Sequence, residues 1–431
     1  MNKTAIKNFA VWARENLISD ITHKASMIGI TEDGIADKLP QSTNDLYFYD
    51  IGTKDYAEVS GKGIEQRSAL VSAIKKKERD IQNYKEAFRY VVEEVAYTWF
   101  NRLIAIRFME VNDYLPSGVR VLSSENKAKK EPDLVTTPFD ADLEFTSYEQ
   151  DRILQLKDDN RLDELFRMLF IKQCNKLHDI LPELFEKTDD YSELLLTVSF
   201  TDNEGIVFHL VHDIDEGDFN IEKGGQVEII GWMYQYYNSE PKDALINAKK
   251  QYHKDDIPFV TQLFTSDWIV KYLTENTLGR YWKEANPEFS IPNDWKFYID
   301  EVEDEKNPHK LSPENIKVFD PCMGSGHILV YSFELLMKIY DSCGYDKRAY
   351  QLAYFSLLMQ ARKYNRRILN STININLACI EDAVKIDSTI LDKLGKEKII
   401  AQKLIDVFTN AKEYGSLLYL DCEIGRAHVR T

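Results

Sequence analysis

The residues best placed to do chemistry lie in one stretch, Val318-Phe319-Asp320-Pro321-Cys322-Met323-Gly324-Ser325-Gly326-His327-Ile328-Leu329-Val330. A short apolar run, Ile316 to Phe319, has the composition of a strand, and Asp320-Pro321 followed by the small-residue turn Gly324-Ser325-Gly326 ends it. Beyond the turn, Ile328, Leu329, Tyr331, Leu335 and Leu336 fall near helical spacing. Strand, glycine turn and helix is how an α/β sheet presents backbone N–H groups and a helix N-terminus to a polar ligand. A Cβ at either glycine would block the ligand's close approach. Many such turns only join a strand to a helix, so the binding reading depends on what accompanies them.

The accompaniment is specific. Asp320-Pro321-x-x-Gly324-Ser325-Gly326 is similar to the first motif of N6-adenine DNA methyltransferases, D-P-x-x-G-S-G, which there wraps the methionine part of S-adenosylmethionine. Upstream, Thr261-Gln262-Leu263-Phe264-Thr265-Ser266-Asp267-Trp268-Ile269-Val270 resembles the F-T-P segment of the same enzymes, with Ser266 in place of the proline. With Tyr97-Thr98-Trp99-Phe100-Asn101-Arg102-Leu103 and Tyr350-Gln351-Leu352-Ala353-Tyr354-Phe355, the pattern resembles the PglX-type adenine-specific DNA methyltransferases of bacteriophage exclusion (BREX) systems. The resemblance covers most of residues 1–420, as the N-terminal third of such an enzyme. It implies S-adenosylmethionine as cofactor, double-stranded DNA as partner through the full-length protein, and other phage-defence subunits as further partners. It also implies that Asp320, Pro321, Gly324, Ser325 and Gly326 shape the methionine pocket, covered by Phe264 and Thr265.

Two departures from the family pattern stand out. The family's second strand ends in an acidic residue that holds the ribose hydroxyls, since a carboxylate accepts from both at once. Here Asp341-Ser342-Cys343-Gly344-Tyr345-Asp346 leads straight toward another helix, too short a link for a buried strand. Asp346 is the remaining candidate; deletion of the strand is the alternative. A third strand fits Ile373 to Ile380, and Glu381-Asp382 then stand where the family contacts the cofactor's adenine. The second departure concerns transfer itself. The family uses N-P-P-Y to accept hydrogen bonds from the target amine and to stack on the flipped base. No N-P-P-Y or D-P-P-Y occurs in the chain; Asn286-Pro287 and Asn307-Pro308 lie upstream and lack the second proline. No catalytic residue is therefore expected within it, and the polypeptide alone is expected not to methylate.

Around these motifs the chain has 431 residues, enough for two or three domains with real cores. Its 44% hydrophobic and 29% charged residues suit a water-soluble globule, with no apolar run near the length of a membrane span. Cys174, Cys322, Cys343, Cys379 and Cys422 lie far apart, which fits a reducing cytoplasm and argues against structural zinc. The net charge of −17 sits awkwardly with a duplex grip by this chain alone. Lys75-Lys76-Lys77, Lys127-Ala128-Lys129-Lys130 and Arg362-Lys363-Tyr364-Asn365-Arg366-Arg367 read more readily as solvated faces than as phosphate contacts.

The expected architecture is a mainly α N-terminal region followed by a truncated α/β Rossmann-like class I methyltransferase domain. Residues 1–122 read as helical, 123–147 as linker or loop, and 148–255 as helical again. Residues 256–422 read as the cofactor half of the methyltransferase domain. Residues 423–431 read as a non-native tail, because Glu423 to Val429 is what sequencing-adaptor codons would encode. The strongest helical signal runs from Glu65 to Tyr114, with Ile81, Tyr84, Phe88, Val91, Val95, Trp99, Leu103 and Ile106 at three- and four-residue steps. Its aromatics, like those of Val227 to Tyr237, fit core packing better than base stacking. His209, His212 and Asp213 lack further ligands for a metal site, and Glu131-Pro132-Asp133 lacks the E-x-K of a nuclease. Two rivals remain: a methyltransferase for a non-DNA substrate, and a non-catalytic binding or assembly module.

Overall fold

The structure is a computed structural model. It describes residues 1–52, 56–182, 184–185, 191–248, 251–252, 257–261, 264–300, 311, 313, 316–321, 323–324 and 326–343, together with 398, 402, 405 and 406. Two compact units are present, one of which runs from Met1 to Asn238 while the other begins at Ser239. No helix among the described residues is long and apolar enough to cross a membrane.

The first unit is built on three helices. α1 (Lys3–Ser26) starts where the Asn2 side chain accepts from the Ala5 N–H, and it buries Ile6, Phe9, Ala10, Ala13, Leu17, Ile21 and Ala25. That spacing of three and four is the stripe expected of a core-facing helix. The Glu65–Tyr114 signal resolves into two helices, α2 (Lys62–Ile81) and α3 (Tyr84–Val111), packed on each other. Gln82 takes a left-handed conformation at the end of α2, and the Asn83 side chain caps α3 by accepting from the Glu86 N–H. Apolar periodicity runs through the break because both helices face one core, so periodicity alone could not reveal it.

A hairpin, β1 (Leu46–Asp50) against β2 (Tyr56–Ser60), is antiparallel and packs beside α2. The C-terminal half of α3 is buried all round, charged residues included. There Glu110 accepts from Arg107 (2.7 Å), from Ser123 Oγ (2.9 Å) and from the backbone N–H groups of Val121 (2.8 Å) and Leu122 (2.7 Å). Every oxygen of this buried carboxylate is thereby matched, as burial of a charge requires.

The stretch 123–147 is mostly loop, but it is packed loop. Leu134, Val135, Pro138, Ala141 and Leu143 are buried, and Asp133 accepts from Ser124 Oγ (2.6 Å) and the Glu125 N–H (2.9 Å). Asp133 thus holds its own loop together. α4 (Ser147–Asp158) opens with a reciprocal Thr146–Glu149 capping box, and α5 (Leu162–His178) follows. In α6 (Ile229–Tyr237) the aromatics pack inward: Tyr234 and Tyr237 lie against Tyr97, and Tyr237 against Phe100. His209 Nδ1 pairs with Asp213 (2.7 Å), while His212 Nδ1 donates to the Phe208 carbonyl (2.8 Å).

In the second unit α7 (Asp267–Thr274) continues through a π-helical turn, Glu275–Gly279, into α8 (Arg280–Ala285). Of its large apolar residues, Trp268, Tyr272 and Leu273 are exposed; Val270, Thr274, Leu278 and Trp282 are the buried row. These four recur at steps of four, one face of the helix through the π-turn. Val270, Leu278 and Trp282 join Phe289, Trp295, Leu335, Leu336 and Ile339 in the unit's core. The long helix α9 (His327–Cys343) supplies the last three. Ile316 and Val318 pack on the same core while Lys317 and Phe319 point outward, Phe319 at 77% exposure. This is the alternation of a strand, yet no strand pairing of the segment occurs among the described residues. What stands in this unit is therefore mainly helical, without a Rossmann-like sheet among the described residues.

Candidate functional site

Phe264 and His327, distant in sequence, meet at the end of the glycine turn. The Phe264 ring lies flat on the His327 imidazole, with centroids 4.4 Å apart and planes 2° from parallel. The carbonyl of the next residue, Thr265, is 2.8 Å from His327 Nδ1. A carbonyl only accepts, so Nδ1 carries the hydrogen. His327 is 7% exposed and is the first residue of α9.

The turn itself has the backbone its glycines allow. Gly324 (φ +54°) and Gly326 (φ +80°) are both in the left-handed region, which disfavours any residue with a Cβ. A Cβ built on Gly324 meets nothing within 4 Å, so the space above it is open. The Gly326 N–H donates to the Met323 carbonyl (2.8 Å), and the Gly326 carbonyl accepts from Val330 (2.8 Å), which starts the helix. Donors of the first turn of α9 have no partners within the helix and favour an anionic group at its mouth. Asp320 is half-buried on the near side of the turn, and Pro321 is exposed. The open turn thus has a carboxylate on one flank and the opening of a helix on the other, an arrangement able to take a ligand that carries both a cationic and an anionic group.

A second bond, one turn further along α9, ties that helix to the π-helical turn. Tyr331 donates through its hydroxyl to Glu275 Oε1 (2.7 Å), and Glu275 Oε2 accepts from the Phe297 N–H (2.8 Å). Glu275 is fully buried, at 0% exposure. Burial, and then the adjoining carboxylate, push the Tyr331 phenol well above its ordinary range, so it remains a donor. Asn276 brackets the same segment, donating to the Phe297 carbonyl (2.7 Å) and accepting from Ile299 (2.9 Å).

Of the residues expected at the site, Phe264 and Thr265 come together with the far end of the glycine turn, and Asp320, Pro321, Gly324 and Gly326 flank or form that turn. Ser325, Asp346, Glu381 and Asp382 lie outside the described residues, as does the run 350–355. Asn286 is a buried helix end whose amide donates to Trp282 (3.2 Å), and the Pro287 carbonyl accepts from Lys283 (2.7 Å). Both are used in ending α8. Sequence reasoning passed over His327, Glu275 and Tyr331. His327 directly follows the motif's last glycine, which was the one signal available; nothing marks Glu275 as buried.

No family model matches the chain. Among curated proteins it is similar to the adenine-specific methyltransferase PglX of Lacticaseibacillus casei, at 41% identity over 98% of this chain and 38% of that protein. It is also similar to the adenine-specific methyltransferase BrxX of Escherichia coli, at 34% identity over 89% of the chain and 33% of that protein. A more distant match, 27% identical over 58% of the chain and 21% of the relative, is a protein of Methanocaldococcus jannaschii named as a type II restriction enzyme and methyltransferase. The chain thus spans little more than a third of the length of the first two of these curated relatives. The first alignment runs over 477 residues, more than the 431 of the chain, so that relative carries residues within the matched span that this chain lacks. Along nearly all its length the chain is homologous to part of the PglX-type adenine-specific methyltransferases of BREX systems.

Proposed function

We propose that this chain is the helical region and cofactor-binding half of an S-adenosylmethionine-dependent DNA N6-adenine methyltransferase acting in phage defence. The observation that carries the reading is the meeting of Phe264–Thr265 with His327 at the end of the D-P-x-x-G-S-G turn. Two motifs distant in sequence converge where the reading needs them. The residues from 256 to 422 are assigned to a Rossmann-like class I domain on the motif order and on the strand-like alternation of Ile316 to Phe319.

S-adenosylmethionine supplies an electrophilic methyl group on a sulfonium. The residues of this chain bind and orient it. The Asp320 carboxylate complements the α-ammonium, and the N–H groups that open α9 complement the α-carboxylate. Gly324 and Gly326 keep the turn free of side chains so that the backbone can approach. Phe264 and Thr265 cover the amino-acid end and exclude water from it. Asp346 is assigned to the ribose hydroxyls and Glu381 or Asp382 to the adenine. The N-P-P-Y element is absent from these 431 residues, so activation of the target amine is assigned to the remainder of a longer protein, with duplex DNA and other defence subunits as its partners. The absence of that element leaves a second reading, a non-catalytic module that binds cofactor without transferring methyl.

Titration of S-adenosylmethionine into the chain by calorimetry tests the assignment. The expected result is saturable binding that Asp320→Ala weakens at least about tenfold, the loss of one charge-assisted contact. Binding unchanged by that substitution, or no binding by the unaltered chain, would contradict it.

A further inference from the structure

The cofactor reading leaves His327 unused, and its surroundings carry a more specific assignment. Its ring is buried between two jobs: one face is covered by Phe264, and Nδ1–H donates to the Thr265 carbonyl. Neither contact is local in sequence, since Thr265 lies 62 residues before His327 and Phe264 one residue earlier still. The ring therefore ties the segment that covers the pocket to the turn that forms it. We propose that His327 is a positioning residue: its Nδ1–H bond to Thr265 sets the height of the Phe264–Thr265 segment over the glycine turn, and so the fit of the cofactor's amino-acid end.

The geometry separates this role from general support of the fold. Gross attachment of α9 to the rest of the unit has another anchor, the bond from Tyr331 to the buried Glu275 one turn along the helix. Loss of the histidine bond leaves that anchor in place, together with the core of Val270, Leu278, Trp282, Leu335 and Ile339. What changes is local: the Thr265 carbonyl loses its donor, and the cover can shift by a fraction of an ångström. A contact of this kind matters for a ligand that needs both walls at fixed separation. A carboxylate oxygen of Asp267 lies within 4.8 Å of a nitrogen of His327, so the ring also borders the first turn of α7.

The inference rests on the cofactor reading, and the test keeps the two apart. Asparagine places an amide N–H near the position of Nδ1, glutamine near that of Nε2, and phenylalanine keeps the flat ring without a donor. S-adenosylmethionine is titrated into the chain and its His327→Asn, His327→Gln and His327→Phe variants, at a temperature where circular dichroism shows each folded. The asparagine variant is expected to bind within about threefold of the unaltered chain, and the glutamine and phenylalanine variants about tenfold or more weaker, the scale of one lost hydrogen bond. Equal affinities for all four chains, or asparagine and glutamine variants weakened alike, would overturn the positioning role while leaving the cofactor reading intact. Absence of binding by the unaltered chain would overturn both.

Discussion

At the scale of single residues, burial decides which reactive groups are available. Cys174 on α5 is completely buried, and burial pushes its thiol up to about 12, with the charge of Arg102 opposing the shift only in part. The thiolate is the reactive species. At pH 8 its share would be on the order of one part in ten thousand for such a thiol. Cys174 is therefore expected to escape alkylation by iodoacetamide in the folded chain and to react fully in urea, read by peptide-resolved mass spectrometry. Labelling of its peptide at comparable rates in both conditions would show that the site opens. The legibility of single residues followed the same division. Asp320, Gly324 and Gly326 could be singled out because their types and spacing are unusual in themselves. His327, Glu275 and Tyr331 could not, because their roles come from contacts across 56 to 62 residues of chain that no local pattern encodes.

At the scale of elements, the π-helical turn Glu275–Gly279 organises the second unit. Its widened turn carries Glu275 inward to Tyr331 and sets Gly279 against the Trp295 indole. A Cβ added to Gly279 would come 2.7 Å from a ring carbon of Trp295, closer than packing permits. Trp295 is itself buried against Phe289 and Tyr298, with little room to retreat. Gly279→Ala is expected to destabilise this unit by about 1–3 kcal/mol, the usual penalty of overpacking, despite alanine's better helix propensity. A urea titration followed by tryptophan fluorescence measures it; an unchanged or raised midpoint would mean the indole moves freely. The long helices α1, α3 and α9 were legible because a stripe repeated over more than four turns outweighs local noise. The inward row of α7 was not, since its exposed residues, Trp268, Tyr272 and Leu273, are as apolar as the buried Val270, and the buried Thr274 is polar. The Gln82–Asn83 break went unseen for another reason: two capping residues interrupt a periodicity that the shared core preserves.

At the scale of the whole chain, the excess of 71 acidic over 54 basic residues coexists with several buried or half-buried hydroxyl and thiol acids. Burial raises Tyr84 to about 12 and Tyr97 well above its ordinary 10.0; it also raises Tyr234, Tyr236 and, as noted, Cys174. In each case the folded chain holds the proton more tightly than the unfolded chain. For Cys174 and Tyr84 the contribution to stability is thus complete below the unfolded values of 9.0 and 10.0 and is lost as the pH climbs toward about 12, and the other tyrosines act in the same direction. The urea midpoint is expected to fall by roughly half a molar or more between pH 8 and pH 10.5. A midpoint constant over that interval would show that these groups titrate alike in both states. The clasp on Phe297 to Ile299 has its own consequence for how the chain behaves at high concentration. Glu275, Asn276 and Arg280 satisfy the N–H and carbonyl groups of Phe297 and Ile299, all on one side of an extended segment. Side chains of a helix there do what a neighbouring strand would otherwise do, so that side offers no template to the edge of another molecule, and a ribbon rich in aromatic residues is kept from seeding aggregates.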